Sequence, residues 1–140
     1  PLKYYFSDVG LRNARLNFRQ QAENHIMENI IYNELCTRDF NVDVGIVEYC
    51  YKDAEKKSKR AYLEIDFIAN KGSKKYYVQS ALTVADEEKR EQETRSLKRV
   101  GDSFKKIVVV KDNIIPWHDD DGILYIGIEQ FLLDENAMDM

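Results

Sequence analysis

Cysteine and histidine are scarce in this chain, with two of each among 140 residues, and their placement excludes more than their number does. Cys36, Cys50, His25 and His118 make no Cys-x-x-Cys pair and no zinc-type spacing, so neither a disulfide framework nor a structural zinc site is expected. The thiols read as ordinary reduced cysteines of a cytoplasmic protein. No run approaches the roughly 18 apolar residues that a membrane helix requires, and no basic-plus-apolar leader opens the chain, so a membrane-free, unsecreted protein is expected. A Gly-x-x-x-x-Gly-Lys phosphate loop is missing, which puts any nucleotide hydrolysis outside these residues. Positive charge is not in excess either. The net charge of −4 argues against non-specific nucleic-acid binding over the whole surface.

What is present is ordinary globular material: 33% charged and 44% hydrophobic residues, in a length that suits one domain around one core. The chain opens on Pro1 rather than Met, and the expectation is a piece of a longer protein whose missing part carries the main activity. Along it, Ser7 or Asp8 can cap a short turn over 11–16. Met27, Ile30, Ile31 and Leu35 recur at helical spacing within 20–38. Strands are expected over 41–51, 61–69 and 75–83, with a turn at Lys71-Gly72-Ser73, followed by a charged helix over 86–101 whose acidic start suits the positive helix end. The unbroken run Ile107-Val108-Val109-Val110 reads as a central strand covered on both faces. A loop over 113–122, a strand over 123–128, a short helix over 129–133 and a loose tail over 134–140 complete an α/β domain spanning 1–140.

Within it, Glu64-Ile65-Asp66-Phe67-Ile68 and Tyr77-Val78-Gln79-Ser80-Ala81 form a strand pair. Residues two apart on a strand share a face, so Asp66 is expected beside Gln79 and Ala81. A metal-dependent phosphodiester site wants Asp, then Glu-x-Lys; here Gln79 and Ala81 stand where the Glu and Lys belong. Basic residues lie at both ends of the Asp66 strand: Lys52, Lys56, Lys57, Lys59 and Arg60 before it, Lys71, Lys74 and Lys75 after it. Such rims favour a phosphodiester, although charge runs more often form solvated loops. Glu34 lies near the centre of the first helix's apolar stripe and is either functional or bonded to a Tyr or Arg. Tyr62, Tyr76 and Tyr77 read as sheet packing rather than base-stacking platforms. Asp119-Asp120-Asp121-Gly122 lacks the ligand spacing of a calcium loop and reads as an acidic turn, with His118 a surface histidine.

Taken together, Tyr4 to Ala14, Met27-Glu28-Asn29-Ile30-Ile31-Tyr32-Asn33-Glu34-Leu35, Glu64 to Ile68 and Gln79-Ser80-Ala81 resemble the C-terminal domain of prokaryotic AAA-type ATPases. That domain is similar to the PD-(D/E)XK, restriction-endonuclease-like fold, a mixed β-sheet flanked by helices. The resemblance implies Glu28 as the first-helix acid, Asp66 as the metal-binding acid, Gln79 at the second acidic position and Ala81 at the lysine position. It also implies an N-terminal ATPase domain, binding ATP, as partner.

With two of four positions intact, the expected function is a non-catalytic, nuclease-like accessory domain that recognises a protein or nucleic acid or self-associates. No resident cofactor is expected. Glu28 and Asp66 would be the metal ligands if there are any, and Lys71, Lys74 and Lys75 the binding candidates. One rival is a Mg²⁺-dependent DNA or RNA nuclease whose lysine has migrated from the 71–75 turn or from Lys98. Another is a plain oligomerisation module forming a homo-oligomer.

Overall fold

Periodicity locates the first helix well. The computed structural model describes Tyr5 and residues 23–140, in which α1 runs over Glu23–Thr37 and buries Met27, Asn29, Ile31 and Leu35. The opening stretch through Ala14, its capping residues and the helix start near Gln20 lie outside the described residues, Tyr5 apart. α1 ends where Asp39 takes the left-handed φ of 66° and the Phe40 N–H reaches back to the Leu35 carbonyl. That closure satisfies a carbonyl the helix would otherwise leave bare.

Three strands follow: β1 (Asn41–Lys52), β2 (Ser58–Lys71) and β3 (Lys74–Ala81), then α2 (Glu87–Lys98), β4 (Lys105–Val110), β5 (Trp117–His118), β6 (Leu124–Gly127) and α3 (Ile128–Leu133). They form one six-stranded mixed sheet in the order β1-β2-β3-β4-β6-β5. β1, β2 and β3 are antiparallel neighbours, β3, β4 and β6 run parallel, and β5 pairs antiparallel with β6. The fold is thus α/β, as the alternation of elements suggested. The central position of β4 follows from its composition, since Ile107, Val108, Val109 and Val110 are all buried.

Helices cover both faces. On one, α1 and α3 enclose Ile31, Leu35, Phe67, Val78, Ile107 and Phe131. On the other, Leu97 of α2 packs with Ile65, Tyr77, Ala81, Val108 and Tyr125. Asp86 caps α2, its carboxylate accepting the Lys89 N–H at 2.7 Å.

Three expectations are corrected. The 113–122 loop holds β5, because Trp117 stacks on Tyr125 at 4.3 Å and so draws its backbone against β6. The tail after Asp134 is not loose: it forms a 3₁₀ turn over Ala137–Asp139, and Ala137 and Met138 are buried in the α1-side core. Asp139 also accepts a hydrogen bond from the Tyr76 hydroxyl. Finally, strict alternation fails along β2. Between Asp43 and Gly45 of β1, two steps oppose the three steps from Ile68 to Ile65, so β2 carries one extra residue. Ile65 therefore packs on the α2 side and Phe67 on the α1 side, although they stand two apart. Gly45 is where the bulge is crossed. A Cβ there would lie 3.0 Å from that of Ile65 and 2.8 Å from the Ile68 Cδ1.

Candidate functional site

Asp66 sits in the bulge of β2, and the bulge is also where β2 and β3 part. Their pairing ends at Phe67 opposite Val78. One step on, side chains take over from the backbone ladder: the Asp66 N–H donates to Gln79 Oε1 at 3.0 Å, and the Ser80 N–H donates to Asp66 Oδ2 at 2.8 Å. Each bridge replaces a bond that the diverging strands can no longer make, which is what partly buried backbone donors require. The expected neighbourhood of Asp66 and Gln79 is therefore present, and the contact is a reciprocal cross-strand bridge.

The parting strands leave a cleft of about 270 Å³, lined among others by Asn24, Glu28, Asp66, Gln79, Ala81, Lys89 and Glu93. All four positions singled out in the sequence line it. Glu28 comes from α1, Asp66 from β2, Gln79 and Ala81 from β3, and these elements converge because α1 packs beside the antiparallel strands.

Lys89 and Glu93 are what the sequence reading missed. They lie one helical turn apart on α2, and Leu97, a further turn along, is fully buried. The row 89-93-97 therefore runs from the exposed Lys89 at the cleft through the partly buried Glu93 to the buried Leu97, which was the available signal. Burial and the neighbouring Asp66 carboxylate push the Glu93 carboxyl above its ordinary range, with Lys89 opposing the shift. Ala81 is 4% exposed and belongs to the α2-side core, so its methyl group serves packing as well as cleft lining.

The lysines considered for migration lie elsewhere. Lys98 pairs with Glu91 at 2.7 Å and Asp121 at 3.5 Å. Lys71 is five residues along β2 from Asp66, roughly 17 Å at the strand rise. Its ammonium donates to the Arg38 carbonyl and lies 5.6 Å from the Phe40 ring centroid. Lys75 lies over the rings of Tyr77 and Phe104. Lys74, with Lys71, lines a separate polar pocket of about 380 Å³ at the hairpin end. In that pocket Arg38 pairs with Glu34 at 3.1 Å, so Glu34 is the arginine-bonded glutamate of the bland alternative. Asp119 holds its own turn, accepting from Asp121 N, Ile123 N and the Tyr125 hydroxyl, while His118 Nε2 stands 3.2 Å from the Met140 carbonyl oxygen.

A magnesium ion would find the right chemical class of donor in the cleft, since carboxylate and amide oxygens are hard ligands. Two of these oxygens already accept one hydrogen bond each. Asp66 Oδ2 and Gln79 Oε1 hold backbone N–H groups, and among the described residues no three acidic, histidine or cysteine side chains gather closely enough to hold an ion.

No family model matches the chain, and no solved structure matches it. An uncharacterised protein of Haemophilus influenzae is 32% identical over 131 residues, which cover 94% of this chain and 28% of that protein. The chain thus spans less than a third of the curated relative it matches. Among the described residues no helix is long and apolar enough to cross a membrane.

Proposed function

We propose that this chain is a restriction-endonuclease-like module of a larger AAA-type ATPase, and that it recognises a partner instead of cutting one. The observation that carries the reading is the reciprocal bridge. The two side chains best placed to serve a metal, Asp66 and Gln79, instead close the backbone donors of a splayed strand pair. Gln79 is also a weaker ligand than a carboxylate, and Ala81 supplies no cation at all. Support for the fold assignment comes from the mixed sheet covered on both faces and from the meeting of Glu28, Asp66, Gln79 and Ala81 in one cleft. The module reading accords with a relative of which this chain spans only 28%.

A second reading has one observation in its favour. Glu93 stands close enough to Asp66 for the two charges to interact, and Lys89 shares the cleft, so α2 could supply the missing acid and the missing ammonium of a metal-dependent nuclease. One experiment separates the two. Supercoiled plasmid and a labelled RNA are incubated with the chain in Mg²⁺ and in Mn²⁺, alongside Asp66→Ala and Glu93→Gln. The non-catalytic reading expects intact substrates throughout. Metal-dependent cleavage lost in both variants establishes the nuclease instead.

A further inference from the structure

The sharpest segregation of charge outside the cleft lies at the free end of the β1–β2 ribbon. From Gly45 opposite Ile65 to Lys52 opposite Ser58, eight consecutive pairs join these strands beyond the last β2–β3 pair. At about 3.4 Å per residue they carry the tip roughly 25 Å past the point where β3 leaves. The root is braced on one face, where Val47 packs into the α2-side core and the Arg99 guanidinium lies 4.0 Å from the Tyr49 ring centroid. The tip is ordered too: Asp53 Oδ1 accepts the N–H groups of Glu55 and Lys57 at 3.0 and 2.9 Å. The opposite face is open, with Ile46 64% and Tyr62 63% exposed.

Residues 52–60 carry five basic side chains against Asp53 and Glu55, a net of +3 in a chain of net −4, so the remainder carries −7. Three of the five make exposed ion pairs, Lys57 with Glu55, Lys59 with Asp53 and Arg60 with Glu48, at 3.3 to 3.6 Å. Such pairs are worth about 0–1 kcal/mol and yield readily to a stronger anion. Lys52 and Lys56 have no ion-pair partner among the described residues.

We propose that this ribbon binds duplex DNA, its basic end set between the phosphate walls of the major groove. This names the partner for the recognition reading above and rests on it. Two features select a groove. Cross-strand pairing puts Lys52 and Arg60 on the open face with Tyr62, and Lys59 on the other, with Lys56 and Lys57 at the tip, so cations surround the end on both sides. A membrane or a flat acidic protein presents charge to one side only, whereas a groove has phosphates on each. The B-DNA major groove, about 12 Å wide, also admits a two-stranded ribbon.

The test is fluorescence anisotropy of a labelled 20-base-pair duplex titrated with the 140-residue chain at 50 to 200 mM salt. Binding is expected at 50 mM. Neutralising three to five phosphates at about 0.9 per contact gives a log–log salt slope of roughly −3 to −4.5. Lys56→Glu with Lys57→Glu weakens binding at least tenfold, whereas Lys105→Glu with Lys111→Glu, at the two ends of β4 and away from the ribbon, leaves it unchanged. The wild-type slope needs no variant and so stands even if a variant misfolds. No binding at 50 mM, equal loss in both double variants, or tighter binding to phosphatidylserine vesicles overturns the inference. Ribbon-dependent binding accompanied by metal-dependent cleavage overturns only the non-catalytic reading.

Discussion

Replacing Asp66 by alanine removes the acceptor that the Ser80 N–H holds at 2.8 Å, in a partly buried setting. A hydrogen bond to a charged group contributes about 1.5–3 kcal/mol, and the donor left behind has no ladder partner to fall back on. For a domain of this size that is roughly a 5–9 °C drop in melting midpoint, taking about 3 °C per kcal/mol. Asp66→Asn keeps an acceptor oxygen and should lose less than about 1 kcal/mol. Gln79→Ala frees the Asp66 N–H and should cost about 0.5–1.5 kcal/mol. Because both bridges span one opening, the double variant should cost less than the two singles together, a coupling of about 0.5 kcal/mol or more. A competing term exists, since Asp66 and Glu93 repel across the cleft. Urea unfolding followed by circular dichroism in a Glu93→Gln background separates the two, and Asp66→Ala should cost more there than in the native chain. If Asp66→Ala stabilises the protein in both backgrounds, the bridge is not structural. Asp66 would then resemble an active-site acid kept at the expense of stability.

Glu93→Gln should change the pH dependence of stability. The Glu93 carboxyl, half-buried and facing Asp66 and Lys89, has its folded value raised, so its contribution is fully present below the ordinary carboxylate range and is lost as pH rises through the raised value. The variant's stability curve should therefore be flatter across weakly acidic pH, with its advantage growing toward neutrality, as thermal melts at stepped pH will report. Tyr77, hydrogen-bonded to Asp102, is pushed up to about 12 by burial and then by that bond. Its stabilising effect holds below the ordinary phenol value and fades as pH climbs toward 12; Tyr77→Phe should cost about 1 kcal/mol at neutral pH and reduce the alkaline loss in the same melts. Ala81→Lys puts a lysine where the proposed nuclease-like reading has one. Since Ala81 is packed among Ile65, Leu97 and Val108, it should destabilise by about 1–3 kcal/mol and confer no plasmid cleavage.

Much of the site was legible before any coordinates. Glu28, Asp66, Gln79 and Ala81 were placed together from strand spacing and from a resemblance, and they share one cleft. The misses have a common cause. Lys89 and Glu93 sit in a helix so charged that only Leu97 betrays its buried side, and which strand that side covers depends on how α2 crosses the sheet. Strict alternation would put residues two apart, such as Asp66 and Glu64, on one face, but an extra residue in β2 turns the strand over at Asp66, and no local pattern in Leu63 to Ile68 announces it. The tail was read as loose because Asp134 to Met140 has no period, yet Ala137 and Met138 fill space that distant residues leave open.

Sequence alone determined what short-range chemistry controls: the helix of Met27, Ile31 and Leu35, the β2–β3 hairpin, the all-apolar central strand, and the amide and methyl side chains that stand at positions 79 and 81. The tertiary structure decided where strands separate and what fills the gap. Bulges, helix crossings and side chains that stand in for lost backbone bonds depend on contacts between segments far apart in the chain, and a side chain's role there is set by which unsatisfied donor lies within its reach.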